Sequence, residues 1–240
     1  MPRVVKPAGE RRRQLLECAR RLFFEKGYEK TTVADVIAKA GLSKGAFYHH
    51  FRSKEELLEA LAAQLARQTV ASAQEILDAP ALDSLGRLNA FLARAAQAKV
   101  KQAPSLRAIF DVVFRPENVA LYHRLHAAVT AELTPVLERI VAQGIAEGRF
   151  RVSDAKAAAE LLLQLGASTY HVVAQAVAAS SASQRSRAVR QLQARLRFHG
   201  IAIDRILGLP DGSVRYVQPG FARALLAAAP TKPNAKRVEP

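Results

Sequence analysis

The sequence predicts an all-α protein, and three observations indicate this class. Apolar side chains recur at helical spacing along most of the chain, alternating β-branched runs are absent, and most prolines fall where helices are expected to end. The 240 residues, 50% hydrophobic and 24% charged, have an ordinary globular composition. A chain of this length suits one large domain, or a small domain joined to a larger one.

The N-terminal region is predicted to form three helices before a long fourth one. The first helix runs from Arg11 to Lys26 and ends at Gly27, because glycine readily adopts the left-handed conformation that closes a helix. The side chains predicted to form its buried stripe are Leu15, Cys18, Ala19, Leu22 and Phe23.

Capping residues mark the next three helices. Thr32, with an acid three residues later, opens a short second helix that ends at Gly41. Ser43 caps a very short third helix, Lys44–His50. Ser53, with Glu56 three residues later, forms a capping box that opens the long fourth helix, which is expected to end near residue 80.

Further helices are predicted over the rest of the chain, and Pro135 is expected to kink one of them or to restart it with Thr134 as the cap. A last short helix is expected at Phe221–Ala228, and Pro230–Pro240 is expected to be disordered. The intervening segments are Asp83–Lys101, Pro104–Phe114, Glu117–Glu147, Ser153–Ala179 and Gln184–Leu207.

The net charge of +15, with a pI near 10.5, is typical of proteins that meet a polyanion. Residues 1–54 hold 13 Lys/Arg and 5 Asp/Glu, so more than half of the net charge lies in the first quarter of the chain. A solvated basic surface remains the alternative explanation of the charge alone.

Two common protein classes are excluded by the composition. The single cysteine rules out a disulfide framework and a zinc site built from cysteines. The basic N-terminus has no apolar run behind it, and no uninterrupted apolar stretch reaches about 18 residues, so neither a secretory signal nor a membrane span is predicted. We therefore expect a soluble, cytoplasmic protein with no membrane partner.

The second and third helices form a helix-turn-helix pattern, because they are joined by a short turn, Ala40–Ser43, that contains a glycine. In this motif the second of the two helices enters the major groove of DNA. Phe47 and Phe51 are four residues apart and must therefore face inward together. The small, uncharged residues left on the opposite face are Gly45, Ala46 and His49.

The segment Thr31–Glu55 closely resembles the DNA-binding signature of the TetR family of bacterial transcriptional regulators, and the similarity extends over Arg11–Leu58. The resemblance implies a head of three helices joined by the fourth to a larger helical domain that binds a small ligand. It also implies a homodimer formed through the last two long helices. On this basis we expect residues 1–54 to bind DNA, residues 55–210 to bind ligand and dimerise, and residues 211–240 to form an extension whose end is disordered.

The resemblance also assigns DNA contacts. It implies that the hydroxyl of Thr32 and the free N–H groups beside it bind phosphate, that Lys44 and Tyr48 hold the DNA backbone, and that the uncharged face of the third helix contacts base edges. His50 either contacts phosphate or packs, and the arm that leads to Arg11–Arg13 adds contacts. Many family members carry Thr at the position of Ala46, which leaves the base preference open. The full set is Thr32, Ser43, Lys44, Gly45, Ala46, Tyr48, His49, His50 and Lys54, the last contacting phosphate.

Six aromatic and polar residues interrupt otherwise aliphatic helices and are candidates for lining a ligand pocket, with burial in the core as the alternative. His123 and His126 lie three residues apart, but no third ligand accompanies them, so no metal site is predicted. No catalytic set and no cofactor motif are found. The six candidates are Phe110, Phe114, Tyr122, His126, Tyr170 and His171.

Together these features predict a homodimeric, ligand-responsive regulator, a repressor that binds a palindromic double-stranded DNA operator and is released by a small-molecule effector. The alternatives are a non-specific nucleic-acid-binding protein and an activator that uses the same head. A helical enzyme and a membrane-surface protein are less consistent with the motifs. The segment Leu161–Gly166, which is rich in leucine and small residues, suits either close helix packing across a dimer interface or burial within one subunit.

Overall fold

The computed structural model of the protein describes residues 8–227, and within that range the chain is helical and contains no strand, which confirms the all-α prediction. A single turn of 3₁₀-helix, Pro116–Asn118, precedes the seventh α-helix. The α-helices are α1 Ala8–Lys26, α2 Val33–Ala40, α3 Lys44–His50, α4 Lys54–Ser72, α5 Gln74–Asp78, α6 Ser84–Val113, α7 Val119–Ala146, α8 Ala155–Ala167, α9 Tyr170–Ala178, α10 Ala182–Leu207 and α11 Phe221–Ala227.

Local capping explains why the predicted bounds of α2 and α3 agree with the structure. Thr32 and Asp35 form a reciprocal capping box at the start of α2. At its end Gly41 adopts a left-handed conformation, φ 60°, and donates its N–H to α2 carbonyl oxygens. The Ser43 hydroxyl accepts the N–H of Ala46 at 3.2 Å and so begins α3.

Two predicted helix breaks are absent. α6 runs without interruption through residues 101–104, and α7 runs through Pro135. The Thr134 hydroxyl donates to the Thr130 carbonyl oxygen at 2.9 Å and caps no new helix. A proline removes one helical hydrogen bond, and the burial of Leu137 and Ile140 just beyond Pro135 favours continuation of the helix past it.

Two breaks were not predicted. α4 ends at Ser72, and the buried guanidinium of Arg87 then donates to four carbonyl oxygens within residues 76–82, which orders the turn around α5. The second break divides α8 from α9, where Ser168 and Thr169 turn their hydroxyls back onto carbonyl oxygens of α8 at 2.8 and 2.7 Å.

The apolar stretch Ala155–Ala178 has the length and composition of a membrane-spanning helix. In the structure it is not one helix, because α8 and α9 are divided at Ser168 and Thr169. α8 packs against α7, and α9 packs against α10. The stretch is therefore part of the helical domain.

The core of the N-terminal head is completed by a distant helix. The head core contains Leu15, Val36, Phe47 and Leu57, one from each of the first four helices. It also contains three residues of the C-terminal end of α6, namely Ile109, Val112 and Val113. Two further cores lie beyond the head, one among α4–α8 and the end of α10, and one among α9, α10 and α11.

The segment after α10 is held on the domain by polar side chains. The buried carboxylate of Asp204 accepts the N–H groups of Gly212 and Val214 at 2.7 and 2.8 Å. The Asn89 amide on α6 binds the Ser213 carbonyl oxygen and the Arg215 N–H. We call residues 211–217 the strap. The expected disorder of residues 230–240 and the basic arm before Ala8 lie outside the described residues.

Candidate nucleic-acid interface and aromatic cluster

The orientation of α3 is set by the burial of two phenylalanines. Phe47 and Phe51 are 0% and 1% exposed, and their ring centroids lie 6.0 Å apart within the head core. Burial of this side turns the opposite side of the helix outward. Gly45 and His49 are exposed and Ala46 is half-buried, so the small, uncharged face predicted from the sequence is open to solvent.

Lys44 and Tyr48 border this face. Tyr48 is 48% exposed, which is unusual for a large aromatic side chain, and its ring makes an edge contact with Phe47 at 5.3 Å. The Lys44 ammonium lies 6.0 Å from the centre of the Tyr48 ring and has no ion-pair partner among residues 8–227. Both side chains also line a shallow groove against the apolar surface of α2.

Thr32 is exposed, but its polar groups are already engaged. The Thr32 hydroxyl lies 3.0 Å from an Asp35 carboxylate oxygen, which also accepts the Thr32 N–H at 2.9 Å. The donors that remain free at the start of α2 are the N–H groups of its first two residues, Val33 and Ala34. A phosphate contact at this position would therefore rest on backbone groups more than on the hydroxyl.

Lys54 has a structural role that the sequence did not reveal. Its ammonium donates to the carbonyl oxygens of Tyr28 and Thr31 at 3.0 and 3.1 Å, and lies 4.2 Å from the centre of the Tyr28 ring. These bonds fasten the start of α4 to the α1–α2 connection. Two of the three N–H donors of Lys54 are thus used inside the head, and one remains for a phosphate.

Further cations lie beside the C-terminal end of α3. The guanidinium of Arg12 lies 5.1 Å from the centre of the Phe51 ring. Burial lowers the pKa of His50, and the nearby charges of His49, Arg12 and Arg11 lower it further. A histidine surrounded by cations in this way stays neutral at physiological pH, and a polyanion at this surface would favour its protonation.

The pocket candidates form one connected aromatic cluster. Tyr122 lies 4.5 Å from Tyr170 and stacks on His126 at 6.0 Å, measured between ring centroids. Phe114 joins this cluster at 5.6 Å from Tyr122, and Phe110 contacts Phe114. His171 is exposed beside Tyr170. Five of the six candidates are therefore brought together between α6, α7 and α9.

The cluster carries few satisfied polar groups. Tyr170 donates its hydroxyl to the Arg115 carbonyl oxygen at 2.9 Å, whereas the Tyr122 hydroxyl reaches the Ala167 carbonyl oxygen only at 3.5 Å. Burial raises the pKa of Tyr122 to about 12, with the neighbouring Tyr170 and Tyr216 contributing. The Nε2 atom of His126 is buried without a hydrogen-bond partner. Apolar walls with unpaired polar atoms are characteristic of a ligand site.

Three residues near this cluster were not identified as candidates from the sequence. Tyr216 on the strap contacts His199 at 5.6 Å between ring centroids, and the buried His199 bonds Ser168 at 3.0 Å through Nε2. The third is the exposed Lys99 on α6; burial lowers the pKa of His126, and the charge of Lys99 lowers it further. Lys99 could have been found as a lysine in the middle of the apolar stripe of its helix. Among residues 8–227 no group of three His, Cys, Asp or Glu side chains is placed to hold a metal ion.

Two family models match the chain. The N-terminal one, described as bacterial regulatory proteins of the tetR family, matches residues 15–61. The second, described as a tetracyclin repressor-like C-terminal domain, matches residues 85–191. The two matches together cover more than half of the chain and include both the helix-turn-helix motif and most of the aromatic cluster.

Curated relatives are similar in the head. The HTH-type transcriptional repressor KstR2 of Mycobacterium tuberculosis (strain ATCC 25618 / H37Rv) is 40% identical over 81 residues, 34% of this chain and 40% of that protein. The HTH-type transcriptional repressor Rv1474c of the same organism is 54% identical over 52 residues, 22% of this chain and 28% of that protein. The chain thus spans less than half the length of the curated relatives it matches.

A solved structure supports the fold over most of the chain. The TetR-family transcriptional regulator from Pectobacterium atrosepticum has a TM-score of 0.53 and 26% identity, over 78% of this chain and 91% of that one. The similarity therefore extends from the head into the larger helical domain.

Replacing Phe47 by Ala is expected to destabilise the head by about 3–5 kcal/mol, because it leaves a cavity beside Phe51 and Leu57. Chemical denaturation of the full chain, followed by helical circular dichroism, measures the change. Tyr48→Ala on the same helix is the control and should change stability by less than about 1 kcal/mol, since Tyr48 is half exposed. Equal losses from both variants would contradict the assigned orientation of α3.

Proposed function

Since the chain belongs to the TetR family of bacterial regulatory proteins, we propose that it is a sequence-specific DNA-binding transcriptional regulator that acts as a repressor. The observation that carries this proposal is the outward face of α3. Gly45, Ala46 and His49 are small or uncharged and accessible, while Lys44 and Tyr48 flank them. Base edges are recognised by short-range hydrogen bonds and apolar contacts, and flanking groups hold phosphates.

In this proposal each residue has a distinct role. Ala46 and His49, with Gly45 allowing close approach, contact base edges, and Ala46 reaches a thymine methyl group. The flanking groups contact the DNA backbone and therefore add affinity without sequence choice. The side chains proposed to contact the DNA backbone are those of Lys44, Tyr48, His50, Arg11–Arg13 and Lys54, the last through its third N–H. The first N–H groups of α2, after Thr32, are proposed to contact it as well, and Ser43 holds the start of α3.

The active form is proposed to be a homodimer on a palindromic operator. Leu161 on α8 and Phe198 on α10 are 56% and 61% exposed, and large apolar side chains left open on separate helices favour burial against a second copy of the chain. An isologous dimer would place two α3 helices about one DNA turn, roughly 34–36 Å, apart.

A small-molecule effector is proposed to bind at the aromatic cluster between α6, α7 and α9. The C-terminal end of α6 supplies Ile109, Val112 and Val113 to the head core, and Phe114 and Tyr122 belong to the aromatic cluster and also pack against that core. A ligand that shifts these residues would change the separation of the two heads. A coupling of about 1–3 kcal/mol would weaken operator binding by roughly 5- to 150-fold.

Two properties complete the proposal. We place the protein in the cytoplasm, where its DNA target lies, and we assign it no enzymatic activity, because its family consists of transcriptional regulators. A second candidate function, non-specific nucleic-acid binding, is favoured by the high net charge of +15. A sequence-specific regulator and a non-specific binder differ in the ratio of specific to non-specific affinity for DNA, measured at one salt concentration.

Selection from a pool of random duplexes tests the function. The purified full chain is expected to enrich a palindrome with half-sites about one helical turn apart, because two copies of α3 must fit adjacent major grooves. Enrichment of no sequence, with tight binding to every duplex, would favour the non-specific alternative. A gel shift with the selected site, in the absence of effector, gives the specific affinity.

Replacing Lys44 by Ala is expected to weaken binding to all duplexes alike and to reduce the salt dependence of log Kd by about one unit, because one phosphate contact is lost. Fluorescence anisotropy over a series of salt concentrations measures the slope. Lys156→Ala on α8 removes an equally exposed lysine far from α3 and should leave the slope unchanged. An unaltered slope for Lys44→Ala would remove this residue from the interface.

Replacing Ala46 by Thr, or His49 by Asn, is expected to change which base is preferred at one position of each half-site, with a discrimination of about 1–3 kcal/mol. Repeating the duplex selection with each variant measures the preference. The Lys44→Ala variant serves as the contrast, since it should retain the parent preference at lower affinity. Retention of the full parent preference by both the Ala46 and His49 variants would show that other residues contact the bases.

A further inference from the structure

α10 presents a set of exposed arginines that no acidic side chain balances. Between Glu160 and Asp204 the sequence contains five arginines and no acidic residue. Several exposed arginines elsewhere are paired with carboxylates, as Arg115 is with Glu29. Four exposed arginines of α10, by contrast, have no side-chain hydrogen bond or ion pair in the part of the chain that the structure describes. They are Arg187, Arg190, Arg195 and Arg197.

The N-terminal half of α10 lies at the end of the larger domain that adjoins the head. Its buried residues Ala188 and Leu192 belong to the core shared with α9 and α11. Phe114, just after α6, packs against both that core and the head core. At the other end of α10, Leu207 shares a core with Leu88 near the start of α6. Because α6 runs from there to the head, the two halves of α10 lie at opposite ends of the domain.

Arg187 and Arg190 lie on the side of α10 that is proposed to contact the second subunit. Arg187 and the exposed Phe198 are eleven residues apart, which at about 100° per residue places them within about 20° of each other around the helix. Arg190 and Ala194 are exposed on the same side, opposite the buried Leu192. An isologous contact surrounds its two-fold axis, so a dimer that buries Phe198 brings both arginines of each copy toward that axis.

The same two-fold axis passes through the centre of the operator, because two copies of α3 bind symmetric half-sites of one duplex. The part of the dimer that lies at the head end and close to the axis therefore faces the DNA between the half-sites. Arg187 and Arg190 of both copies converge there. Like charges brought together are unfavourable, and the phosphates at the operator centre supply the opposite charge.

We propose that Arg187 and Arg190 form a second DNA-binding surface, which binds backbone phosphates at the centre of the operator, between the half-sites contacted by α3. The planar guanidinium of arginine suits this role, because it donates paired hydrogen bonds to phosphate oxygens. Such contacts add affinity without sequence choice and make binding depend on salt. This inference rests on the proposed function, since it extends the DNA contacts of that regulator.

The double variant Arg187→Gln/Arg190→Gln tests this surface, because glutamine keeps a long polar side chain and removes the charge. With the selected operator, the salt dependence of log Kd is expected to fall by about two units or more, because both copies in the dimer lose phosphate contacts. Fluorescence anisotropy over a series of salt concentrations measures the slope. The palindrome enriched from random duplexes should remain that of the parent, since α3 is unchanged.

Arg151→Gln/Arg215→Gln is the matched control, because it removes the same charge from the opposite end of the domain. Both arginines are exposed, and neither side chain has an ion pair or hydrogen bond within the described residues. The Arg151 N–H donates to the Leu207 carbonyl oxygen at 2.8 Å, and the Arg215 N–H donates to the Asn89 side chain near the start of α6. This control variant should keep the salt slope of the parent.

Neutral methylphosphonate linkages locate the contact on the DNA. Placed at the operator centre, they are expected to weaken binding of the parent about tenfold and binding of Arg187→Gln/Arg190→Gln less than about twofold, because the variant no longer uses those phosphates. Placed at the duplex ends, outside both half-sites, they should affect the two proteins equally.

Three outcomes would overturn the proposal: an unchanged salt slope in Arg187→Gln/Arg190→Gln, an equal effect of central methylphosphonates on the parent and this variant, or loss of the dimer by the variant, measured by sedimentation without DNA. The first would leave the arginines to an acidic protein partner, and the last would assign them to the subunit interface. Operator selection by the parent beside any of these outcomes rejects the second surface alone. Failure of the parent to select a palindrome rejects the proposed function itself.

Discussion

The candidate interface depends on the burial of Phe47 and Phe51. α3 has only seven residues, which is too few for a stable helix in water without tertiary support. Two aromatic anchors on one side, the Ser43 cap at its start and the contact with α2 supply that support. The exposed face of α3 owes its accessibility to these contacts, and the same contacts keep its side chains in a fixed geometry.

The head is not an independent unit, because its core extends into the C-terminal end of α6. Ile109, Val112 and Val113 pack among head residues, and ion pairs join Arg115 to Glu29 and Arg124 to Glu59 on the periphery. The fourth helix is therefore one of several links between the two regions. A change around the aromatic cluster reaches the head along α6 and the start of α7 as well as along α4.

Local signals in the sequence predicted the head, and long-range contacts explain what was missed. The caps of α2 and α3 lie within three or four residues of each helix, so the bounds of both helices followed from the sequence. The continuity of α7 at Pro135 depends on packing partners that are distant in the sequence. The hydrogen bonds from Lys54 likewise reach carbonyl oxygens 23 and 26 residues away. The aromatic candidates stood out by residue type, whereas the contact between Tyr216 and His199 joins two segments that no local pattern links.

The strap is a non-helical segment that is fastened to two helices at once. Asp204 of α10 and Asn89 of α6 hold its backbone, while Tyr216 packs against His199 of α10. Backbone held by side chains tolerates changes in its own side chains more readily than a helix packed on both sides. Substitutions on the outer side of these few residues are therefore expected to leave the scaffold that presents α3 undisturbed.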